Sequence, residues 1–471
     1  MLSTTKIFIT YIFNLKKKKY MFAKIINACV KMVQKYLPEP FIFAILLTIL
    51  AFVIAIPICQ QTPIEAIEHW GNGVWTLLGF AMQMALVLVC GSTLAEAPTI
   101  KRGISLLASI PKTPVAAIAI VSVVSAVACW INWGFGLIVG AIFAKEIAKK
   151  LRGVDYRLLI SSAYSGFIVW HAGLSGSIPL SMTSDSKTLN EITHGALNSP
   201  IPLSETVFSP YTIILVVAVI IALAIVNSLM HPKADKVIAI NATLLSDDNN
   251  DSIPTTEPTT PSEKMENSKV LGWTISLLGL SYLFIHIIIR GNSLDLNSVI
   301  MLFLFLGIIL HKTPLAYVKA FTKSSTSAAG ILLQFPFYAG IMGIIMGIGE
   351  SGICLGGIIS NACIDISTPS TFPILTFLSA GLINIFIPSG GGQWAVQAPI
   401  MFPAGANLGV DPAITGMAIA WGDAWTNLIQ PFWAIPALAI AKLNAKDIMG
   451  FCLINLIISG IIICLGLFIW A

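Results

Sequence analysis

Apolar runs of roughly 15 to 25 residues recur along the whole chain, and a hydrocarbon layer about 30 Å thick asks for about 20 residues per helix. Short polar stretches separate them. The first run, near 41–59, leads into QQTPIEAIEHW, which carries acids but no Lys or Arg, and the second, near 73–95, leads into KRG at Lys101 and Arg102. The next run differs. It is apolar over 114–131, meets NWGFG at 132–136, continues apolar to 144 and ends in the basic KEIAKKLRGVDYR. With basic residues on both flanks, 114–144 is predicted as a helical hairpin that enters and leaves on one side of the membrane, with NWGFG at its tip. A helix over 157–180, interrupted by HAGLSGS at 171–177, and a helix over 209–230 follow.

Beyond a polar connector the order repeats from the opposite side. After an additional helix, 270–289, come runs at 296–310 and 327–349, an acidic stretch with Glu350 and Asp365, and an apolar pair, 371–387 and 393–402, around PSGGG. That pair returns to a loop holding Asp411, so the hairpin 371–402 is predicted to enter from the other face. A helix over 413–438, interrupted near WTNLIQP at 425–431, and a last helix over 450–470 complete the chain. Lys and Arg gather in short cytoplasmic loops. With the N-terminus inside, all of the 27 Lys and Arg except Lys187 and Arg290 fall on the cytoplasmic side. The predicted fold is an all-α polytopic membrane protein of two inverted-topology repeats, each with a re-entrant helical hairpin and a broken transmembrane helix. Its parts are a basic cytoplasmic segment (1–40, with Lys16 to Lys19), a first repeat (41–230), a polar cytoplasmic linker (231–269) and a second repeat (270–471). Inverted repeats whose discontinuous helices meet near mid-membrane are the signature of secondary transporters.

Composition agrees: 56% of residues are hydrophobic and 10% charged, with a mean hydropathy of +0.86, against about a quarter charged in soluble domains. The eight cysteines are scattered without metal-ligand or CxxC spacing and read as small core residues. No nucleophile, base and orienter are grouped, so no enzyme activity, cofactor or nucleic-acid partner is expected. The membrane core holds no Lys or Arg and one acid, Asp423; His171 is its clearest histidine.

Three glycines in IPSGGGQW, residues 387–394, interrupt one of the most apolar stretches. Unwound backbone is tolerated at membrane depth only where it is buried in protein or lines a wet cavity. Helix N-termini bind carboxylates through free N–H groups. Ser389, Gly390, Gly391, Gly392 and Gln393, which lead into the second arm of the second hairpin, are therefore the first candidates for an anion cradle, with Ser175, Gly176 and Ser177 at the first break and Asn427 at the second. Asn132, Asn384, Asp423 and His171 are candidates for a coupling cation, Asn132 and Asn384 for Na⁺ in particular. Each has a plainer reading: small residues pack helices closely, Asp423 can bond a neighbouring amide or indole, and His171 can cap the break. Seven tryptophans, Trp130, Trp133, Trp170, Trp394, Trp421, Trp425 and Trp433, cluster around these motifs, and packing or interfacial anchoring accounts for most of them.

LPEPFIFAILLTIL, FAMQMALVLV, INWGFGLIVGAIFAKE, GLSGSIPL, HKTPLAYVKA, AAGILLQFPFYAGI, IPSGGGQW and QPFWAIPALAIA, taken in order, resemble the bacterial short-chain fatty acid transporter family, from about residue 22 to the C-terminus. The resemblance implies uptake of acetoacetate, butyrate and similar monocarboxylates across the inner membrane. It also implies kinship with the ion transporter superfamily, whose hairpin tips and helix breaks hold substrate and coupling cation. The chain departs from the family's pattern at the site, with His171 and Ala172 in place of a more glycine-rich run and Asp423 in place of a longer Glu. The expected partners are a short-chain carboxylate, H⁺ or Na⁺, and the lipid bilayer. Scaffold helices near 73–95 and 327–349 could support a homodimer. A dicarboxylate or other organic-anion carrier or exchanger, or a gated anion channel, is the alternative reading.

Overall fold

The computed structural model describes residues 38–193, 195–240, 260–291 and 296–470, with 28, 30–32 and 35 besides. Lys16 to Lys19 and positions 241–259 of the predicted linker lie outside them. The described residues form helices and connecting turns. In chain order they are α1 (Pro40–Ile58), α2 (Pro63–Gly73), α3 (Leu78–Glu96), α4 (Pro98–Leu107), α5 (Pro114–Ile131), α6 (Trp133–Lys150), α7 (Tyr156–Ser165), α8 (Ser177–Ser181), α9 (Ser186–Ile192) and α10 (Pro210–Leu229). The second half has α11 (Pro261–Glu266), α12 (Lys269–Phe284), α13 (Leu296–Leu310), α14 (Pro314–Ser325), α15 (Ala329–Met346), α16 (Leu355–Ile364), α17 (Phe372–Asn384), α18 (Gly390–Asn407), α19 (Pro412–Thr426), α20 (Pro431–Ala441) and α21 (Ala445–Trp470).

Among the described residues seven helices are long and apolar enough to cross a membrane, or eight if α3 and α4, bent by 83° at Ala97, count as one. Their faces explain the sequence. On α10, Ile214, Val217, Ile221 and Ile225 are exposed while Leu215, Val219, Leu223 and Asn227 are buried. Both faces of one helix are thus apolar, one for lipid and one for protein, which is why these helices lack the amphipathic stripe of soluble ones. Several short helices arise where the sequence suggested only loops. The acidic stretch after α1 forms α2, nucleated by a Thr62–Glu65 capping box; α4 exposes Leu106 and Leu107, and α16 occupies part of 350–370.

Both predicted hairpins are present as helix pairs. Asn132 alone separates α5 from α6, and Gly136 lies on Cys129 while Gly140 lies on Ser125, a register symmetric about the tip. The basic arm runs on to Lys150 rather than stopping at 144. In the second pair, Gln393 Nε2 donates to the Ala380 carbonyl at 3.1 Å and Gln397 Nε2 to Ser379 Oγ at 3.0 Å. Segments assigned by charge to one side also lie together. Ser351 Oγ donates to the Cys59 carbonyl at 2.8 Å, and the Ile201 N–H to the Met182 carbonyl at 2.9 Å. At the opposite end Lys323 reaches Glu96 at 3.8 Å, and Ser228 Oγ donates to the Val115 carbonyl at 3.3 Å.

Candidate functional site

The first broken helix unwinds in stages. From α7 the chain tightens into a 3₁₀ turn over Gly166–Ala172, turns through Gly173 to Gly176 with the Gly176 N–H donating to the Gly173 carbonyl at 3.1 Å, and resumes as α8. The tip of the first hairpin supplies the partners that the freed backbone needs. The carbonyl of Trp130 accepts the Leu174 N–H at 2.8 Å, its indole donates to the Ala172 carbonyl at 2.9 Å, and Ser175 Oγ accepts the Trp133 N–H at 3.0 Å. The approach is close enough that a Cβ on Gly173 would stand 2.1 Å from the Trp130 carbonyl oxygen, a contact only glycine permits. Asn132 is fully buried and caps α6, its Oδ1 accepting the Phe135 N–H at 3.0 Å.

The second broken helix passes from α19 through a 3₁₀ turn, Asn427–Ile429, and an extended Gln430 into α20. Its own hairpin braces it. Asn384 Nδ2 donates to Thr426 Oγ1 at 2.9 Å and to Asn427 Oδ1 at 2.7 Å, and Gln430 Nε2 donates to the Ile385 carbonyl at 2.7 Å. Gln393, expected to face a ligand, joins the two arms of its hairpin, with Nε2 also donating to Gln397 Oε1 at 2.7 Å. Ser389 caps α18, its Oγ accepting the Gly392 N–H at 3.4 Å. Gly390 is buried, whereas Gly391 is exposed with nothing within 4 Å of where a Cβ would stand.

Between the halves lies His171. Its Nδ1 is 2.7 Å from Oδ2 of Asp423, and both side chains are almost wholly enclosed, 0% and 1% exposed. The two atoms are near but not aligned as an N–H···O bond, and neither Asp423 oxygen has an aligned donor. The other ring nitrogen, Nε2, accepts the Ile178 N–H at 3.0 Å. A nitrogen that accepts carries no proton, so this geometry assigns the proton of the neutral ring to Nδ1, facing the carboxylate. The ring also fills the space before the second hairpin: a Cβ on Gly390 would come 2.8 Å from His171 Cε1 and 3.0 Å from Ser177 Cβ. Thus the N-terminal turns of α8 and α18 converge on one imidazole, and the two tips are joined through the broken helices.

Sequence reasoning missed Tyr164 and named Trp170 and Trp433 only within the tryptophan cluster. Tyr164 reaches across the halves, its hydroxyl donating to the Asn427 carbonyl and, at 3.3 Å, to the Gln430 carbonyl. Trp170 stacks on His171 with centroids 3.9 Å apart, and Trp433 packs edge-on to Trp133 at 5.3 Å. The indole nitrogens of Trp170 and Trp421 are buried without a hydrogen-bond partner, as are Asn427 Nδ2 and the amide oxygens of Asn384, Gln393 and Gln430. The tryptophan cluster was the available signal, but spacing alone could not say which indoles lack a mate.

The family described as "Short chain fatty acid transporter" matches residues 21–470. The chain belongs to the short-chain fatty acid transporter family. Two relatives provisionally named short-chain fatty acid transporters match nearly end to end. One, from Escherichia coli strain K12, is 44% identical over 449 residues, 95% of this chain and 99% of that one. The other, from Haemophilus influenzae strain Rd, is 42% identical over 450 residues, 95% and 100% of the two chains. Among solved structures, the Alcanivorax borkumensis YdaH transporter aligns with 92% of this chain and 97% of its own at 15% identity, with a TM-score of 0.44. The family expected from the motifs is thus the family found.

Proposed function

We propose that the chain is a secondary transporter that takes up short-chain monocarboxylates across the cytoplasmic membrane together with a cation. The observation that carries this reading is the enclosed contact between His171 and Asp423. A buried carboxylate without aligned donors is costly, and a second carboxylate arriving beside it would raise that cost. A cation must therefore travel with the substrate. With Nε2 committed to the Ile178 N–H, a proton added to the pair goes to Asp423, and His171 acts as a positioning residue that holds the carboxyl between the two breaks. The first-turn amides of α18 at Gly390 and Gly391, which have no acceptor within their own helix, hold the substrate carboxylate, and the rings of Trp170 and Trp433 receive its tail.

A second cation is favoured by a separate observation. Asn384 Oδ1, Gln393 Oε1 and Gln430 Oε1 are buried oxygens without donors around the second break, the ligand type that suits Na⁺. Labelled butyrate or acetoacetate uptake into proteoliposomes, under separate pH and Na⁺ gradients, tests both. Accumulation driven by one gradient identifies the ion; accumulation with neither removes the coupling.

A further inference from the structure

Five lysines from four basic segments of the sequence converge on one cavity. Lys101 of α4, Lys145 and Lys149 of α6, Lys323 of α14 and Lys442 at the end of α20 line a space of about 700 Å³. Three glutamates, Glu39, Glu96 and Glu146, share its wall, with Lys149 2.9 Å from Glu146 and Lys323 3.8 Å from Glu96; among the described lining residues lysines outnumber glutamates by two. The positive-inside tendency explains basic loops on one face, but not their meeting over a shaped floor. That floor is apolar with one amide: Gly330, Ile435, Leu438 and Gln334. Gln334 is 7% exposed and its Oε1 has no partner.

One layer separates the floor from the second break. Phe335, next to Gln334, stacks on Phe432 with centroids 4.0 Å apart, and Tyr338 meets the same ring edge-on at 5.0 Å; all three are fully buried. From Ile435 on the floor back to Gln430 at the break is about 7.5 Å of helix at 1.5 Å per residue. The cavity thus stops one aromatic layer short of the candidate site.

We infer that this cavity is a second binding site, a vestibule for the short-chain carboxylate, its charge among the lysines and its acyl tail on Gln334, Ile435 and Leu438, with the Phe335–Phe432 stack as the gate to the break. The inference rests on the transport reading above. Clefts lined by an excess of one charge concentrate the opposite ion, and cavities of about 300–1,000 Å³ accept small ligands. The interleaved glutamates and apolar floor suit a singly charged acid with a hydrocarbon tail.

The test is Gln334→Cys in the full chain, with the rate of modification by a charged, membrane-impermeant thiol reagent compared with the parent chain, with and without butyrate. Butyrate should slow labelling severalfold at low salt, less at high salt, and should still do so in the Asp423→Asn background. The protection should be lost when Lys101, Lys145 and Lys442 are changed together to Gln. Labelling indifferent to butyrate overturns the vestibule, as does protection that survives loss of the lysines. Uptake in the Asp423→Asn background is scored separately: coupled accumulation there refutes the transport mechanism while leaving protection at Gln334→Cys to stand or fall alone.

Discussion

Nδ1 of His171 on the first broken helix lies 2.7 Å from Oδ2 of Asp423 on the second, so the two broken helices meet through an enclosed pair of ionisable side chains. Replacing Asp423 with Asn keeps the shape and removes the charge. Gradient-driven accumulation should be abolished while exchange of labelled for unlabelled substrate continues. Thermal stability in detergent should not fall, because an unaligned buried carboxylate contributes little. Retained accumulation in the proteoliposome assay excludes Asp423 as the coupling group.

His171 also accepts the Ile178 N–H. His171→Phe leaves that amide without an acceptor and should cost about 1–3 kcal/mol, whereas His171→Gln supplies an oxygen and should recover part of the loss. Chemical unfolding of the two variants, together with hydrogen exchange at the Ile178 amide, measures the difference. Equal stability of both variants removes the capping role.

The glycines of the second tip should not behave alike. At Gly390 a methyl group would stand 2.8 Å from the His171 ring, while at Gly391 it would meet nothing within 4 Å. Gly390→Ala should therefore destabilise by about 1–3 kcal/mol through overpacking, and Gly391→Ala should leave stability nearly unchanged. Paired thermal melts check this, and the reverse order would mean that the tip is packed differently.

Acid should loosen one corner outside the membrane span. Burial holds the His231 imidazole below the usual histidine range, against the opposing influence of Asp155, whose backbone N–H donates to His231 Nε2 at 3.3 Å. A group whose folded value is lowered is more protonated when unfolded, so stability rises with pH across the interval between the two values. Its contribution is complete above the unfolded histidine value, about 6.5, and is lost as pH falls through the folded one. Melts between pH 8 and pH 5 should show that loss, and His231→Gln should flatten it; an unchanged slope would move the acid sensitivity elsewhere.

Much of this architecture was legible because lipid is a strict solvent. Interrupted apolar runs with basic flanks leave few arrangements, and NWGFG and PSGGG fall at or beside the breaks between consecutive helices. The small α2 escaped notice because its moderately polar sequence forms a helix through a local capping box, a signal that resembles loop chemistry. The pairing of His171 with Asp423 escaped for another reason. Each was a candidate by itself, but only packing between halves brings them together, and no periodicity reports that. Gln393 shows the converse: its sequence neighbourhood suggested a ligand, and packing adds that its Nε2 bridges the arms of its own hairpin while its Oε1 stays without a donor.

The start of the first broken helix is stitched down. The Tyr156 N–H donates to the Ile238 carbonyl at 2.8 Å, and the Ile238 N–H to Asp155 Oδ2 at 3.1 Å. A rod fastened at one end cannot slide along its axis, so a change in reach at His171 has to come from within the rod. The seven residues of the 3₁₀ turn Gly166–Ala172 can provide it. Rewinding them to the wider but shorter α turn, about 1.5 instead of 2.0 Å per residue, shortens the element by about 3.5 Å, a stroke longer than the gap between the imidazole and the carboxylate it faces.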